Sequence, residues 1–454
     1  MPRGGLLVGI KNPAQLVVGA FTILILFGTA LLWLPISADG PGHISLEDSL
    51  FTATSAVTVT GLGSTDVARF SLFGELVLML LVQVGGFGIM TIGSVLAILA
   101  SHRVGLKQRM LAQAEIGAVD IGDLRRLILA IAKITLAVEG GLAFILFLRF
   151  WQKGYEDGPI SSAYSGVFHA VTAFNNAGIS LYSDNLARFV GDPVVVLGIT
   201  FGLIIGGLGF PILVETWRHH VQRRKSRRPI HWTLHTKITL LVTAALLMFG
   251  PLVVMAFEWT NPATLGPLST FDKVLAGWFQ GVSPRTAGFN TVSIGGMNEP
   301  TLLVITTLMF IGAGSASTAG GIKVTTFAVL GYVLWSEVRG NGDINVFKRR
   351  LPTNVVRQAL TVALLSIGLV VGAALAMMSM EDVSLTPALV EVTSAFGTVG
   401  LSTGITTSIG LAGHMLLVLV MLAGRVGPVT FVTALALRER VTTYRYPEER
   451  PIIG

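Results

Sequence analysis

The stretch TVTGL at residues 58–62 recurs in altered form as NNAGI at 175–179, RTAGF at 285–289 and TVGL at 398–401. The glycines of these stretches, Gly61, Gly178, Gly288 and Gly400, are almost evenly spaced along the chain. Each follows roughly ten residues of helix-like, half-apolar sequence, too short to cross a bilayer, and precedes a long apolar run. A glycine holds φ > 0 without a Cβ clash, so it lets successive carbonyls point toward a common axis. Four such turns about one axis make a ring of oxygens able to replace the hydration shell of a cation. The pattern predicts a pore built four times over in one polypeptide. Its ion-binding filter would comprise Thr60, Gly61, Ala177, Gly178, Ala287, Gly288, Val399 and Gly400.

Composition agrees. Of 454 residues only 13% are charged and 52% are hydrophobic, and the mean hydropathy is +0.72. Soluble domains carry about 25% charged residues, so the chain reads as an integral membrane protein. Apolar runs lie at roughly 14–34, 72–100, 127–150, 193–215, 236–257, 301–335, 355–380 and 412–437. About 20 apolar residues span a bilayer as helix, which predicts eight spanning helices with one glycine-ended hairpin inside each successive pair. The fold class is therefore all-α and membrane-embedded, with four tandem helix–pore hairpin–helix repeats around a central pore. The repeats divide the chain at 12–120, 121–230, 231–350 and 351–454, the last including a C-terminal tail. The first apolar run ends at Pro35 without a small-residue cleavage site, so it reads as a retained helix. Cysteine is absent, which excludes disulfides and thiolate metal sites.

Most of the 32 lysines and arginines fall in 101–126, 216–237, 335–357 and 438–450, with Arg3 and Lys11 at the N-terminus. The opposite side holds Arg69, Arg149, Lys153, Arg188 and Lys273. The positive-inside rule puts both termini and the basic loops in the cytoplasm, and the hairpins then open outward. The net charge of +7 reflects this bias and gives no reason to infer nucleic-acid binding. RRKSRR at 223–228 reads first as a solvated loop facing lipid headgroups.

A second marker follows each filter glycine at a nearly constant distance: GGFG at 85–88, GGLG at 206–209, GAGS at 312–315 and GRVG at 424–427. Small residues let helices approach closely about an axis, and that packing role is the first reading of these glycines. In the third repeat the sequence runs on as GAGSASTAGG, 312–321, in the middle of a long apolar run. Such a segment forms helix poorly. Non-helical backbone at membrane depth is tolerated only where protein buries it or a water-filled cavity adjoins it. The second helix of the third repeat is thus expected to be broken. At the matching height of the fourth repeat stands Arg425, a cation that is costly in a membrane helix unless it faces a cavity or a partner. The loop carbonyls are natural acceptors for it, and its charge raises the barrier to another cation. Gly312, Gly314, Ser315, Ser317, Thr318, Gly320, Gly321, Lys323 and Arg425 form the expected gate.

Arg285 is the one charge in a filter stretch. It is expected to face away from the pore and brace the hairpin, with Glu139 as a candidate partner. His169 and Glu391, inside pore helices, read as hydrogen-bonding groups rather than ion ligands.

The four filter glycines, SPRTAGFNT at 283–291, GAGSASTAGGIK at 312–323 and LAGRVGPVTF at 422–431 together resemble the Trk/Ktr/HKT superfamily of potassium transporters. The likeness covers roughly residues 12 to 450, and it is greatest to the Ktr-type membrane subunit, since one helix precedes the first filter glycine. The resemblance implies potassium uptake across the cell membrane, with K+ held at Gly61, Gly178, Gly288 and Gly400 and no cofactor in this chain. Na+ as an activating ion stays open. It also implies a homodimer, with one pore per protomer, on a cytoplasmic nucleotide-binding regulatory ring (KtrA-like). This chain has no GxGxxG after a strand with which to bind a nucleotide itself. Members with serine at the first filter position favour sodium, so Gly61 argues for potassium; NNAGI departs from members with Phe after the second glycine. A sodium or mixed-cation transporter of the same fold is the alternative. An enzyme would need convergent intramembrane acids or a nucleophile with a base, and the spanning runs offer neither.

Overall fold

The computed structural model describes residues 13–40, 42–102, 124–225, 232–428 and 430, with backbone alone at 13–14, 89–102, 124–127 and 221–225. Three long helices and one pore helix open the chain: α1 (Pro13–Leu32), α2 (Leu46–Thr58), α3 (Leu72–His102) and α4 (Leu124–Lys153). They are followed by α5 (Pro159–Phe174), α6 (Pro193–Leu208), α7 (Phe210–Lys225), α8 (Leu234–Glu258) and α9 (Thr270–Val282). The remainder are α10 (Glu299–Phe310), α11 (Val324–Val338), α12 (Thr353–Met380), α13 (Leu385–Gly397) and α14 (Leu411–Val426). Among the described residues the regular structure is helical apart from a two-stranded hairpin, β1 (Asn345–Val346) and β2 (Arg349–Arg350).

The short helices α2, α5, α9 and α13 are the pore helices, and each ends just before one of the repeated glycines. Local chemistry sets their starts. Ser45 Oγ accepts from Asp48 N at 3.0 Å and Ser269 Oγ from Asp272 N at 3.2 Å, satisfying an orphan donor of each first turn. Acidic residues there, Glu47, Asp48 and Asp272, complement the positive end of the helix dipole.

The first helix of every repeat is a full span: Gln15–Leu32, Ile128–Lys153, Leu234–Glu258 and Thr353–Met380 are each long and apolar enough to cross a membrane. The second helices differ. In the third repeat Glu299–Phe310 and Val324–Val338 are two short apolar helices on either side of a break, whereas α3 of the first repeat runs unbroken from Leu72 to His102. The run 193–215, expected as one straight span, is bent by 98° between α6 and α7. Gly209 makes the bend at φ 92°, and Phe210 N donates to Ala316 O at 3.2 Å, so the freed backbone is satisfied by the irregular loop of the third repeat. The expected break in the third repeat lies between α10 and α11. The expected eighth span, 412–437, is seen as α14 to Val426, and the remainder lies mostly outside the described residues. Arg3, Lys11 and the basic segment 438–450 also lie outside them, as do most of 101–126 and part of 223–228.

In the first and fourth repeats the pore helix packs between the repeat's own two outer helices. In the first, Phe21, Ile25, Ala53, Val57, Leu78 and Leu81 form one buried cluster. In the fourth, Val370, Met377, Val392, Phe396, Leu417 and Met421 do the same. This packing holds the pore-helix ends, and hence the glycines, at one level.

Candidate ion pathway

In every repeat the chain leaves its pore helix through a left-handed residue two positions before the glycine: Val59 (φ 57°), Asn176 (60°), Thr286 (66°) and Thr398 (48°). The glycines follow at φ 93°, 65°, 73° and 95° for Gly61, Gly178, Gly288 and Gly400. A left-handed residue with a Cβ costs about 1–2 kcal/mol, so this fourfold conformation is held by its surroundings.

Those surroundings form a closed cycle. A Cβ on Gly61 would strike Ala177 O; one on Gly178 would lie 2.8 Å from Ala287 O and 2.6 Å from the Cα of Gly288. A Cβ on Gly288 would strike Val399 O, and one on Gly400 would strike Thr60 O. Each glycine therefore rests on the carbonyl that precedes the glycine of the next repeat, from the first repeat round to the fourth and back to the first. Thr60, Ala177, Ala287 and Val399 are buried, so four backbone oxygens are held within one ring of glycines.

Hydroxyls brace the ring from behind. Gly61 N donates to Ser55 Oγ at 2.9 Å and Gly400 N to Ser394 Oγ at 3.0 Å. Thr60 Oγ1 lies 2.7 Å from Thr58 Oγ1, and in the third repeat Ser283 Oγ donates to Phe289 O. The serine six residues before Gly61 and Gly400 is the readable signal for these supports, which the sequence reading did not single out. His169 is buried against Ser165 O at 2.8 Å and Ser180 Oγ at 3.1 Å. Glu391 accepts from Thr403 N at 3.1 Å and from Thr406 Oγ1 at 2.9 Å, and from Ser402 as well. Both tie a pore helix to the loop after its glycine.

Arg285 points to α8, with its guanidinium 3.4 Å from Thr243 O and 3.5 Å from Thr243 Oγ1. Glu139 is not its partner, contrary to expectation. That carboxylate takes Gln83 Nε2 at 3.2 Å and Asn175 Nδ2 at 3.1 Å, joining the first two repeats.

The irregular loop 312–321 is pinched at its neck, where Gly312 N donates to Ile322 O at 2.8 Å and Val324 N to Ala313 O at 3.1 Å. Inside it Ser317 Oγ donates to Gly314 O at 2.6 Å, and Ser315 Oγ lies 3.0 Å from Thr325 Oγ1. Lys323 Nζ turns back onto Ala319 O at 2.5 Å and Gly320 O at 3.3 Å. The loop touches the undersides of two opposite pore helices: Thr318 Oγ1 reaches Phe174 O at 3.5 Å. A Cβ on Gly321 would lie 3.3 Å from the Cα of Gly397. Gly314 N donates to Gly207 O at 2.9 Å, so the end of α6 docks on it as well. Arg425 is buried, donates to Thr318 O and reaches Gly85 O at 3.2 Å, linking the loop to α3.

In the other repeats the second marker supplies one glycine each that packs closely on a pore-helix carbonyl. A Cβ on Gly85 would strike Val57 O, one on Gly206 Phe174 O, and one on Gly424 Phe396 O. Each inner helix thus lies directly on the C-terminal carbonyls of its pore helix. Among the described residues no three His, Asp or Glu side chains converge on a metal-sized site. A cation in this region would meet backbone and hydroxyl oxygens, the ligand type suited to a hard ion in transit.

Four re-entrant helix–loop units closing on one axis in a multi-pass helical membrane protein define a pore-type ion transporter. The chain belongs to the TrkH family, described as cation transport protein, whose model matches residues 6–441. It is 40% identical over 445 residues to the Ktr system potassium uptake protein B of Bacillus subtilis, covering 98% of this chain and 97% of that one. With the potassium/sodium uptake protein NtpJ of Enterococcus hirae it shares 32% identity over 98% of this chain and 97% of the relative. The crystal structure of the potassium transporter TrkH from Vibrio parahaemolyticus superposes with a TM-score of 0.75 at 18% identity, covering 96% of this chain and 87% of that one.

Proposed function

We propose that this chain is the membrane subunit of a potassium uptake system, passing K+ through the ring at Gly61, Gly178, Gly288 and Gly400. The closed cycle of glycine-on-carbonyl contacts carries the reading, because it assembles oxygens from all four repeats at one level. Full-length relatives named for potassium uptake support it. The loop 312–321 under the ring, pinned by Arg425 and neutralised locally by Lys323 on its own carbonyls, is the gate. The protein sits in the cell membrane with cytoplasmic termini and works as a homodimer on a cytoplasmic nucleotide-binding ring. Each repeat offers one glycine rather than a stack of carbonyl layers, so rubidium is accepted and sodium only partly discriminated.

A second reading, a mixed sodium and potassium carrier, is favoured by the name of the Enterococcus relative. Under the first reading Na+ acts at most as an activating ion. The deciding experiment is flux in proteoliposomes with potassium, rubidium and sodium, with and without a sodium gradient, comparing the parent with Gly61→Ser and Gly288→Ser. The added Cβ strains a left-handed residue by about 1–2 kcal/mol and presses on a ring oxygen. Weaker apparent potassium affinity with more sodium entry is expected in both. An ion preference unchanged in both variants would remove the ring from the pathway.

A further inference from the structure

Neighbouring repeats meet at four seams, and on the filter side the start of a second helix lies against the start of the next pore helix at each. Between the first and second repeats Tyr164 Oη donates to Glu75 Oε2 at 2.7 Å. Between the second and third, Gly191 packs on the Asp272 carboxylate, and Leu186 N donates to Asn290 O at 3.1 Å. Between the third and fourth, Thr386 Oγ1 donates to Glu299 Oε2 at 2.8 Å. Where the fourth repeat closes on the first, His414 of α14 meets Glu47 of α2, with Nδ1 2.6 Å from Oε1. Among these contacts the last alone contains a histidine.

The second ring nitrogen of His414 is equally constrained. Nε2 lies 2.8 Å from Thr406 O, a carbonyl that can only accept. With a carboxylate at one nitrogen and a carbonyl at the other, both must carry hydrogen, and the geometry is that of an imidazolium. A neutral ring would turn a lone pair onto one of these oxygens. The charged groups at the near ends of the elements around it are acidic: Glu47 and Asp48 on α2, Glu381 at the end of α12, and Glu391 on α13, while Arg357 and Arg425 stand at the far ends of α12 and α14. The helix α1 carries no charge.

From His414 a continuous chain of hydrogen bonds leads to the filter. Thr406 Oγ1 donates to Glu391, and Glu391 accepts from Thr403 N and Ser402 in the segment just after Gly400. We propose that His414 is a positioning residue that in its imidazolium form clamps the fourth filter loop against the first repeat. External proton concentration thereby sets the apparent affinity for the transported cation. The inference rests on the reading of the ring as the filter and of this face as external.

The test is rubidium uptake by the full chain, in cells lacking their own potassium uptake systems, at matched membrane expression. External pH is varied from about 5.5 to 8.5, bracketing the ordinary histidine value of about 6.5. Apparent affinity in the parent is expected to weaken about fivefold from the acid to the alkaline end, and His414→Gln and Glu47→Gln to change by less than about twofold. Glu47 is at the seam's solvent edge, so its variant keeps the test open if His414→Gln assembles poorly. Asp48→Asn, bonded to Ser45 and Ser64 instead, should keep the parent slope. A pH-independent parent, or a parent-like slope in Glu47→Gln and any expressed His414→Gln, overturns the proposal. Ion preference of Gly61→Ser, measured alongside, reports on the ring separately.

Discussion

The first helices, α1, α4, α8 and α12, run unbroken and bury only 33%, 28%, 28% and 28% of their apolar windows. Among the second helices, that of the second repeat is bent at Gly209 and that of the third is interrupted at 312–321. Most of their glycines differ in surroundings. Gly19, Gly140, Gly141, Gly368 and Gly372 in the first helices have nothing within 4 Å of a hypothetical Cβ, whereas Gly85, Gly206 and Gly424 in the second lie against pore-helix carbonyls; Gly28, beside Leu81, and Gly250, beside Gly281 O, are the first-helix glycines that face inward. Lipid asks of a helix only length, apolarity and satisfied backbone. The axis asks for close backbone approach and for polar groups that can be shared between repeats. The same residue type is thus replaceable where it faces lipid and required where it faces a neighbouring backbone.

The sharpest way to break this contrast is Gly424→Ala. Its Cβ would press on the carbonyl of Phe396, backbone against backbone, at a cost of about 3 kcal/mol or more. Loss of thermal stability in detergent and of rubidium uptake is expected; a variant with parent-like melting would show that the axis tolerates a methyl group. Next in size is Arg425→Ala, which frees Thr318 O and Gly85 O and removes a cation from the path. Uptake at matched expression should rise by about three- to tenfold, a gate bias of about 1 kcal/mol, and depend less on the regulatory partner. Unchanged rate and partner dependence would take Arg425 out of the gate. Gly209→Ala holds an alanine at a positive φ and crowds Ser315 O, so a loss of about 1–2 kcal/mol is expected from thermal unfolding. A neutral outcome would mean that the bend is not fixed by the glycine. Smallest is Gly372→Ala on the lipid side, where alanine improves helix propensity by up to about 1 kcal/mol; melting should stay level or rise slightly, and uptake should be retained.

The sequence made the ring legible because four copies of a short motif cannot be explained by packing one helix. It also marked the loop 312–321, since glycine, serine and threonine in an apolar run contradict a straight helix. The bend at Gly209 was hidden: GGLG sits in apolar surroundings that read as continuous helix, and only contact with Ala316 and Ser315 of another repeat shows why it breaks there. Glu139 is only a candidate partner for Arg285 in the sequence, which gives no means of placing the two together, and the structure keeps them apart. Two amides, Gln83 and Asn175, satisfy the carboxylate instead. The supporting serines, Ser55 and Ser394, were visible in position but carried no signal until the backbone showed which amide they receive.

The cycle of contacts also fixes an order of events during synthesis. Gly400 closes on the carbonyl of Thr60, so the first repeat waits with an open flank while three whole repeats are made and inserted. Domains of a growing chain generally settle from the N-terminus onward, yet here no partial product has a complete ring. A nascent or truncated chain therefore lacks the closed ring altogether. Arg425, which bonds the loop to α3, emerges shortly after the ring can close, so the interval in which a closed ring stands above an unpinned loop is brief.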